Sequence, residues 1–494
     1  EKLPPPQLFN SYASLGAGLY GNVLGEFYTS RTINRDENFD VGLNHLSSRG
    51  GIDGVELNDT FYDTRLDASY AKRDRDLDWG AAIGLQHQLY NWYGIEPGVF
   101  SEAVISGIDE RQNYFMGEVG GHINIEDAYF KRADLKYRRF FDAVSSGENR
   151  AIFNTGFEFP MNEEALEVKV KVDYVGGTFE NASVSSSTND TGISYGNLQA
   201  GINPSLKMLR DDLSLNLGVN LVYGMDLENS ESNFYIYPAV TASYRLLDES
   251  IIAYGGVTGE LKQNSYYDLV EGNPYVSPTL SIAPTDSQYN AYVGFKGQLL
   301  PNLSYNVKGS YSAENNRPLY RLNPRNDFRS DEKGYYYGNS FDVFYDDIKT
   351  LGVFGELNVD VNRNFTLGVN AEIYDYTTET GNAAWNLPNL KGSLFMDYQI
   401  GEQWFMGANL FYVGEREDFS SSVVENVQPS EFPVTLITLN GYFDANAHVG
   451  YRLDDQLSFF IKGSNLSNND YQRWSNFQVQ GIQVLGGATY KFDF

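Results

Sequence analysis

Along most of the chain, apolar and polar residues alternate one for one. Leu213, Leu215, Leu217, Val219, Leu221 and Tyr223 fall on one parity, and Ser214, Asn216, Gly218 and Asn220 on the other. Leu166, Val168, Val170, Val172 and Tyr174 oppose Glu167, Lys169, Lys171 and Asp173 in the same way. The pattern repeats over Leu351–Asp360 and Phe365–Ile373, and in the closing "VLGGATYKFDF". A period of two places successive side chains on opposite faces of a strand. These strands are long, about 10 to 14 residues against a usual five or six. Their polar face carries charges and glycine, and aromatics gather near their ends. Both features predict a wet lumen and interfacial girdles, hence an all-β, transmembrane antiparallel up-and-down barrel rather than a sandwich.

The connections sort into two classes. Short polar ones include "NRDEN" at 34–38, "MLRDD" at 208–212, "VNRN" at 361–364 and "LDDQ" at 453–456. Long irregular ones cover 91–113, 177–192, 261–287, 313–347, 417–436 and 467–482. Strict interleaving of the two predicts about 22 strands, with short turns in the periplasm, long extracellular loops and both chain ends on the periplasmic side. No run of about 18 apolar residues exists to form a spanning helix, which leaves a strand-built membrane protein open. The net charge of -29 argues against nucleic acid as a partner. The absence of cysteine adds little.

The ending "LSFFIKGSNLSNNDYQRWSNFQVQGIQVLGGATYKFDF" resembles that of TonB-dependent outer-membrane receptors: a penultimate strand, an N-L-(S/T)-(N/D)-x-x-Y loop, then a glycine-containing strand with an aromatic end. "EGNPYVSPTLSIAPTDSQYNAYVGFKGQL" is similar to the mid-barrel NP-x-L-x-P-E loop of that family, with its Glu displaced. The overall flavour, including "NSYASLGAGLYGN", suggests a Bacteroidota lineage. The resemblance covers the barrel only. It implies residence in the cell outer membrane as a multi-pass protein, in contact with outer-membrane lipid and lipopolysaccharide. It also implies passage of a nutrient, glycan or peptide. Residues 1–11 are expected to be a short periplasmic segment and 12–494 the barrel. The family's plug domain and TonB box are not found before that first strand. The lumen is then expected to be filled by a plug on a missing N-terminal segment, by a plug from another polypeptide, or by inward-folded loops such as 313–347. The alternative function is a structural barrel in a secretion or protein-assembly complex that binds surface lipoproteins.

Candidate chemistry is sparse. His45 and Ser47 share the parity of Phe39, Val41 and Leu43, so both should face lipid near the outer rim. The H-x-S pair resembles the catalytic arrangement of outer-membrane phospholipases and lipid A deacylases, with His45 as base and Ser47 as nucleophile. Two polar residues at a strand border explain it more simply, no third member is identifiable, and the chain is not expected to be an enzyme. His87, His122 and His448 are scattered, and His87 shares the lipid-side parity of Ile83 and Leu85. Asp226, Glu228 and Glu231 are weak candidates for Ca²⁺, against a plain solvated loop. No cofactor is expected. Tyr335, Tyr336, Tyr337, Phe341, Phe344 and Tyr345 form an aromatic loop that either meets a partner or packs as a lid. Tyr490, Phe492 and Phe494 should stand on the lipid side at the periplasmic girdle, in a C-terminal strand of the kind read by the barrel-insertion machinery.

Overall fold

The computed structural model describes residues 9–126, 128–161, 164–184, 192–326, 333–423 and 433–493. Twenty-two antiparallel strands form one closed sheet, from Ser11–Gly18 to Gln483–Phe492. The first strand pairs with Val23–Asn34 on one side and with the last strand on the other, in a register that sets Ser11 opposite Phe492 and Gly18 opposite Leu485. Closure satisfies the backbone groups that an open edge would leave bare in lipid. Among the described residues, no helix is long and apolar enough to cross a membrane.

The alternation decides which side chains face out. Leu15, Ile83, Leu85, Val119, Leu217, Leu351, Val353 and Ile373 are exposed on the outer surface. The opposite parity lines the lumen with ion pairs such as Lys136–Glu118 at 2.9 Å and Lys207–Glu167 at 2.8 Å. Where aromatic side chains crowd the lumen wall, glycine makes room: the Phe395 ring lies on Gly368 of the neighbouring strand. Val353→Lys, on the outward face, is therefore expected to cost about 2–4 kcal/mol. Asn370→Lys, on the lumen face of the next strand, should change stability by less than about 1 kcal/mol. Denaturant titration of the lipid-embedded barrel would reveal the asymmetry, and equal effects would contradict the assigned faces.

One end of the barrel carries tight turns, for example at 74–76, 211–212, 301–302 and 363–364. The other end carries the loops, but the interleaving of short and long connections is not strict. The connections at 19–22, 143–146 and 227–230 lie at the loop end and are short. Local side-chain acceptors close two of them. Asp142 accepts from the N–H groups of Val144 and Ser146, and Asp226 from those of Glu228 and Asn229. Ser145 and Ser230 supply the positive φ these turns need, 69° and 56°. The span 313–347 is also not one loop. Leu303–Leu322 and Phe341–Asn362 pair from Leu322↔Phe341 downward, so Phe341, Phe344 and Tyr345 sit on a wall strand and only 323–340 connects. Two small hairpins, Arg416–Ser421 with Val434–Leu439 and Gln472–Trp474 with Phe477–Gln478, stand outside the wall sheet.

Candidate functional site in the barrel mouth

The largest apolar cluster among the described residues spans the loop end of the lumen. It packs Tyr93, Ile108, Tyr266, Leu280 and Phe477 of the connections against Tyr114, Phe140, Val175, Phe179 and Phe341 of the wall strands. Its centre is the connection 263–284, which folds inward and carries the short helix Tyr266–Gly272. Ser265 caps that helix by accepting from the Asp268 N–H at 3.1 Å. Tyr266, Val276, Ser277 and Leu280 are wholly buried. Inward folding leaves backbone groups to satisfy, and wall side chains reach them. The Tyr320 hydroxyl donates to Leu269 O at 2.8 Å, the Tyr114 hydroxyl to Pro274 O at 2.9 Å, and the Trp92 indole to Val276 O at 3.3 Å.

Charge completes the clamp. Arg150 forms a two-point pair with Asp173, both bonds 3.0 Å, and reaches Asp268 on the helix at 2.7 Å. Asp173 is wholly buried and also meets Lys171 at 3.1 Å. Arg138 lies 3.9 Å from the Tyr267 ring centre and 3.4 Å from Asp268. Glu148, buried in the wall, accepts from the Tyr195 hydroxyl at 2.7 Å and from the Tyr266 N–H, while the Tyr266 hydroxyl donates to Asp142 at 2.9 Å. Such an arrangement holds the loop across the lumen as a fitted lid.

Beside the lid is a cavity of about 400 Å³, bounded by the wall, the lid and the Gln472–Gln478 hairpin. Tyr275 of the lid stacks on Phe477 at 4.0 Å, and Tyr93 meets both rings, at 5.6 Å and 4.9 Å. Opposite them, Gln88 donates to Asp63 and to Glu271, each at 3.1 Å, so one amide holds two carboxylates at the cavity edge. Burial pushes the Glu271 carboxyl up from its ordinary value; Gln88 counters this, and Asp63 adds to it. Arg473 and Trp474 complete the lining. Aromatic faces with paired carboxylates and amides suit a ligand rich in hydroxyl groups, which stacks its C–H faces and donates its O–H groups.

The outer hairpin is held by a buried carboxylate. Asp418 accepts from the N–H groups of Leu322 and Phe419 and from the Asn386 amide, at 2.9–3.0 Å. Burial pushes its pKa up to about 6. The folded value lies above the about 3.9 of an unfolded aspartate, so protonation favours docking. Hairpin docking is expected to be strongest below about pH 4 and to lose about 3 kcal/mol as pH rises through about 6. Hydrogen exchange at 416–421, corrected for intrinsic rates, should show this loss. Asp418→Asn should flatten the dependence.

The residues singled out in the sequence are placed as follows. Tyr335 and Tyr336 are buried against Trp92 and Val184, so they pack in the mouth. Tyr337 meets Phe100 at 5.5 Å. Phe341 is wholly buried, Phe344 packs beside Leu319 and Trp385, and the Tyr345 hydroxyl accepts from the Ala283 N–H of the lid at 3.1 Å. The Asp226 carboxylate is spent on its own turn, and Glu228 and Glu231 are exposed beside it. Among the described residues, no three His, Asp or Glu side chains are placed to hold a metal ion. Tyr490 is exposed on the outer face and stacks on Phe492 at 5.9 Å; Phe494 lies outside the described residues.

His45 and Ser47 point outward near the loop end. The His45 Nε2 lies 3.0 Å from Ser47 Oγ, and its Nδ1 lies 2.7 Å from Thr64 Oγ1. Thr64 is a third member that only strand register reveals. Acyl transfer also needs donors for an oxyanion. Beyond Ser48, three successive N–H groups are already used: Arg49 donates to Tyr20 O, Gly50 to Ser48 Oγ and Gly51 to Asp59. Sequence reading missed the clamp and the cavity wall. Its one signal was "EGNPYVSP", which carries the family resemblance and runs from the end of the helix through the lid connection.

No protein-family model matches the chain, and no curated protein sequence does. Solved structures match its fold. The ferripyoverdine receptor of the outer membrane of Pseudomonas aeruginosa, bound to ferripyoverdine, is 14% identical, with 99% of this chain and 72% of that chain covered and a TM-score of 0.69. The FrpB iron transporter from Neisseria meningitidis is 10% identical, with 99% and 82% covered and a TM-score of 0.71. The siderophore receptor PirA from Acinetobacter baumannii is 14% identical, with 98% and 80% covered and a TM-score of 0.71. At such identity the likeness is one of fold.

Proposed function

We propose that the chain is the barrel of an outer-membrane receptor of the TonB-dependent type, which admits a nutrient through the lidded mouth. The observation that carries this reading is the cavity between Tyr275, Phe477 and the Asp63–Gln88–Glu271 group, set beside the lid at the loop end of the barrel. The fold it shares with outer-membrane iron and siderophore receptors supports transport. The lining chemistry favours a neutral, hydroxyl-rich nutrient such as an oligosaccharide over an anionic metal chelate, because Asp63 and Glu271 would repel the latter. Below the lid, the charged lumen is the place for a plug, in cis or in trans. The C-terminal strand, with Tyr490 and Phe492 outward, serves as the insertion signal.

Calorimetric titration with a panel of neutral oligosaccharides and ferric siderophores tests the reading. A bound oligosaccharide should lose about 10- to 100-fold in affinity on Trp474→Ala or Glu271→Gln, as expected for one stacking or hydrogen-bonding contact. Binding confined to ferric chelates would overturn the nutrient class. No binding at all, together with a surface lipoprotein co-purifying in fixed ratio, would favour the structural-subunit alternative.

A further inference from the structure

On the outward face, the strands Glu37–Ser48, Phe61–Arg73, Leu77–Asn91, Arg111–Ile125 and Phe130–Asp142 bring a row of unusual side chains together near the loop end. Strand register aligns His45, Thr64, His87, Phe115 and Phe141 directly across from one another. His45 is hydrogen-bonded to Ser47 and Thr64. His87 lies 3.2 Å from the Tyr62 hydroxyl and 3.1 Å from the Asn113 side-chain oxygen. The His87 ring stacks on Phe115 at 4.4 Å, and Phe115 on Phe141 at 5.1 Å. At the end of the row, the Arg139 guanidinium stands 5.9 Å from the Phe141 ring centre and packs over Gly147.

Arg139 is the informative member. It is exposed on the outer surface, and among the described residues no carboxylate pairs with it. The lumen arginines nearby behave differently: Arg150 is tied to Asp173 and Asp268, and Arg138 to Asp268. Its opposite neighbours across the sheet are Gly117 and Asn149, neither of them acidic. A cation facing hydrocarbon is costly, and an anionic headgroup at the membrane boundary would supply the counter-charge that the protein does not. The apolar outward run on the same face, from Trp79 through Ile83 to Leu85, ends just below His87. From Trp79 to His87 a tilted strand climbs about 20 Å, which brings the row to the upper edge of a band about 25 Å tall.

We propose that this strip binds the headgroup of a phosphorylated glycolipid of the outer leaflet. Arg139 takes the phosphate, and the Ser47–His45–Thr64 and Tyr62–His87–Asn113 groups take sugar hydroxyls. Phe115 and Phe141 lie between them. The row crosses four strand spacings, about 19 Å, which matches a headgroup of more than one sugar better than a single glycerophosphate. Guanidinium suits phosphate by its paired donors, and imidazole, hydroxyl and amide groups can each donate to or accept from a sugar O–H as tautomer and rotamer allow. This inference does not rest on the transport reading.

The test uses the purified protein in a mild detergent, with native mass spectrometry after incubation with one of three lipids. These are a phosphorylated diglucosamine lipid A, its phosphatase-treated form, and phosphatidylglycerol. The unmodified protein should retain the phosphorylated glycolipid selectively. Arg139→Gln should lower the retained fraction about tenfold, the size of one charge-assisted contact, and Arg139→Lys should recover part of it. The His45→Ala/His87→Ala double variant should weaken retention of both glycolipids. Lys349→Gln, which removes an equal charge elsewhere on the exposed surface, should change nothing. Heat-dependent electrophoretic mobility verifies that each variant is a closed barrel. Equal retention of the phosphatase-treated lipid or of phosphatidylglycerol would overturn the proposal, as would an Arg139→Gln protein that binds like the parent or a parent that retains no lipid.

Discussion

Arg150→Met is expected to undock the lid and raise ion conductance through the barrel. The substitution leaves Asp173, wholly buried, with Lys171 as its remaining cationic contact, and strips the helix Tyr266–Gly272 of its closest ion pair. Removing one partner of a buried pair costs about 3–5 kcal/mol, because the other charge stays desolvated. Asp268→Asn should cost much less, since its side chain is 46% exposed and Arg150 keeps Asp173. An Arg150→Met/Asp173→Leu double variant should recover most of the loss, as an apolar replacement of both charges often does. Single-channel recording in planar bilayers and protease cleavage within 263–284 would read the effect. Conductance and protection unchanged from the parent would show that the apolar cluster alone secures the lid.

The second large effect is expected at Phe477. Its side chain is 1% exposed and touches Tyr93, Tyr275 and Phe341, and its ring lies directly on the backbone of Gly94. Truncation to alanine removes contacts from both the lid and the wall, and should cost about 3–5 kcal/mol of local packing. The hairpin Gln472–Gln478 and the lid should then exchange amide hydrogens faster together, and any ligand held at the cavity should bind more weakly. Gly94→Ala should act in the same direction, since a Cβ there would occupy the place of the Phe477 ring. If only the hairpin amides quickened while the lid stayed protected, the two elements would be packed independently.

These two sites show what a single sequence can and cannot carry. The wall was legible because its signal is local: Leu213 to Tyr223 state the outward face within eleven consecutive residues. The count of 22 strands followed from that local signal together with the turns. The lid was not legible. Its helix is seven residues long, too short to show a helical period, and its partners Arg138, Arg150 and Asp173 come from strands more than ninety residues away along the chain. In the same way, His45 and Ser47 were visible as a pair on one strand, while Thr64 came into view only once the register across the sheet was fixed. Expecting 313–347 to be a loop failed for a related reason. A wall strand that climbs past the membrane gains polar and aromatic partners and loses the clean alternation that identifies it.

The seam between the first and last strands has a consequence for how the molecule is made. Asn10 donates its N–H to Asp493 at 2.9 Å, across 483 positions of sequence. Every strand between them must be synthesised before Ser11–Gly18 can find Gln483–Phe492. Contacts of such separation form slowly, and until they do both edges of the sheet offer unpaired backbone to any passing strand. The barrel therefore has a vulnerable interval built into its topology, in which escort to the membrane and catalysed insertion must outpace aggregation. Loss of the strand Gln483–Phe492 alone would make that interval permanent.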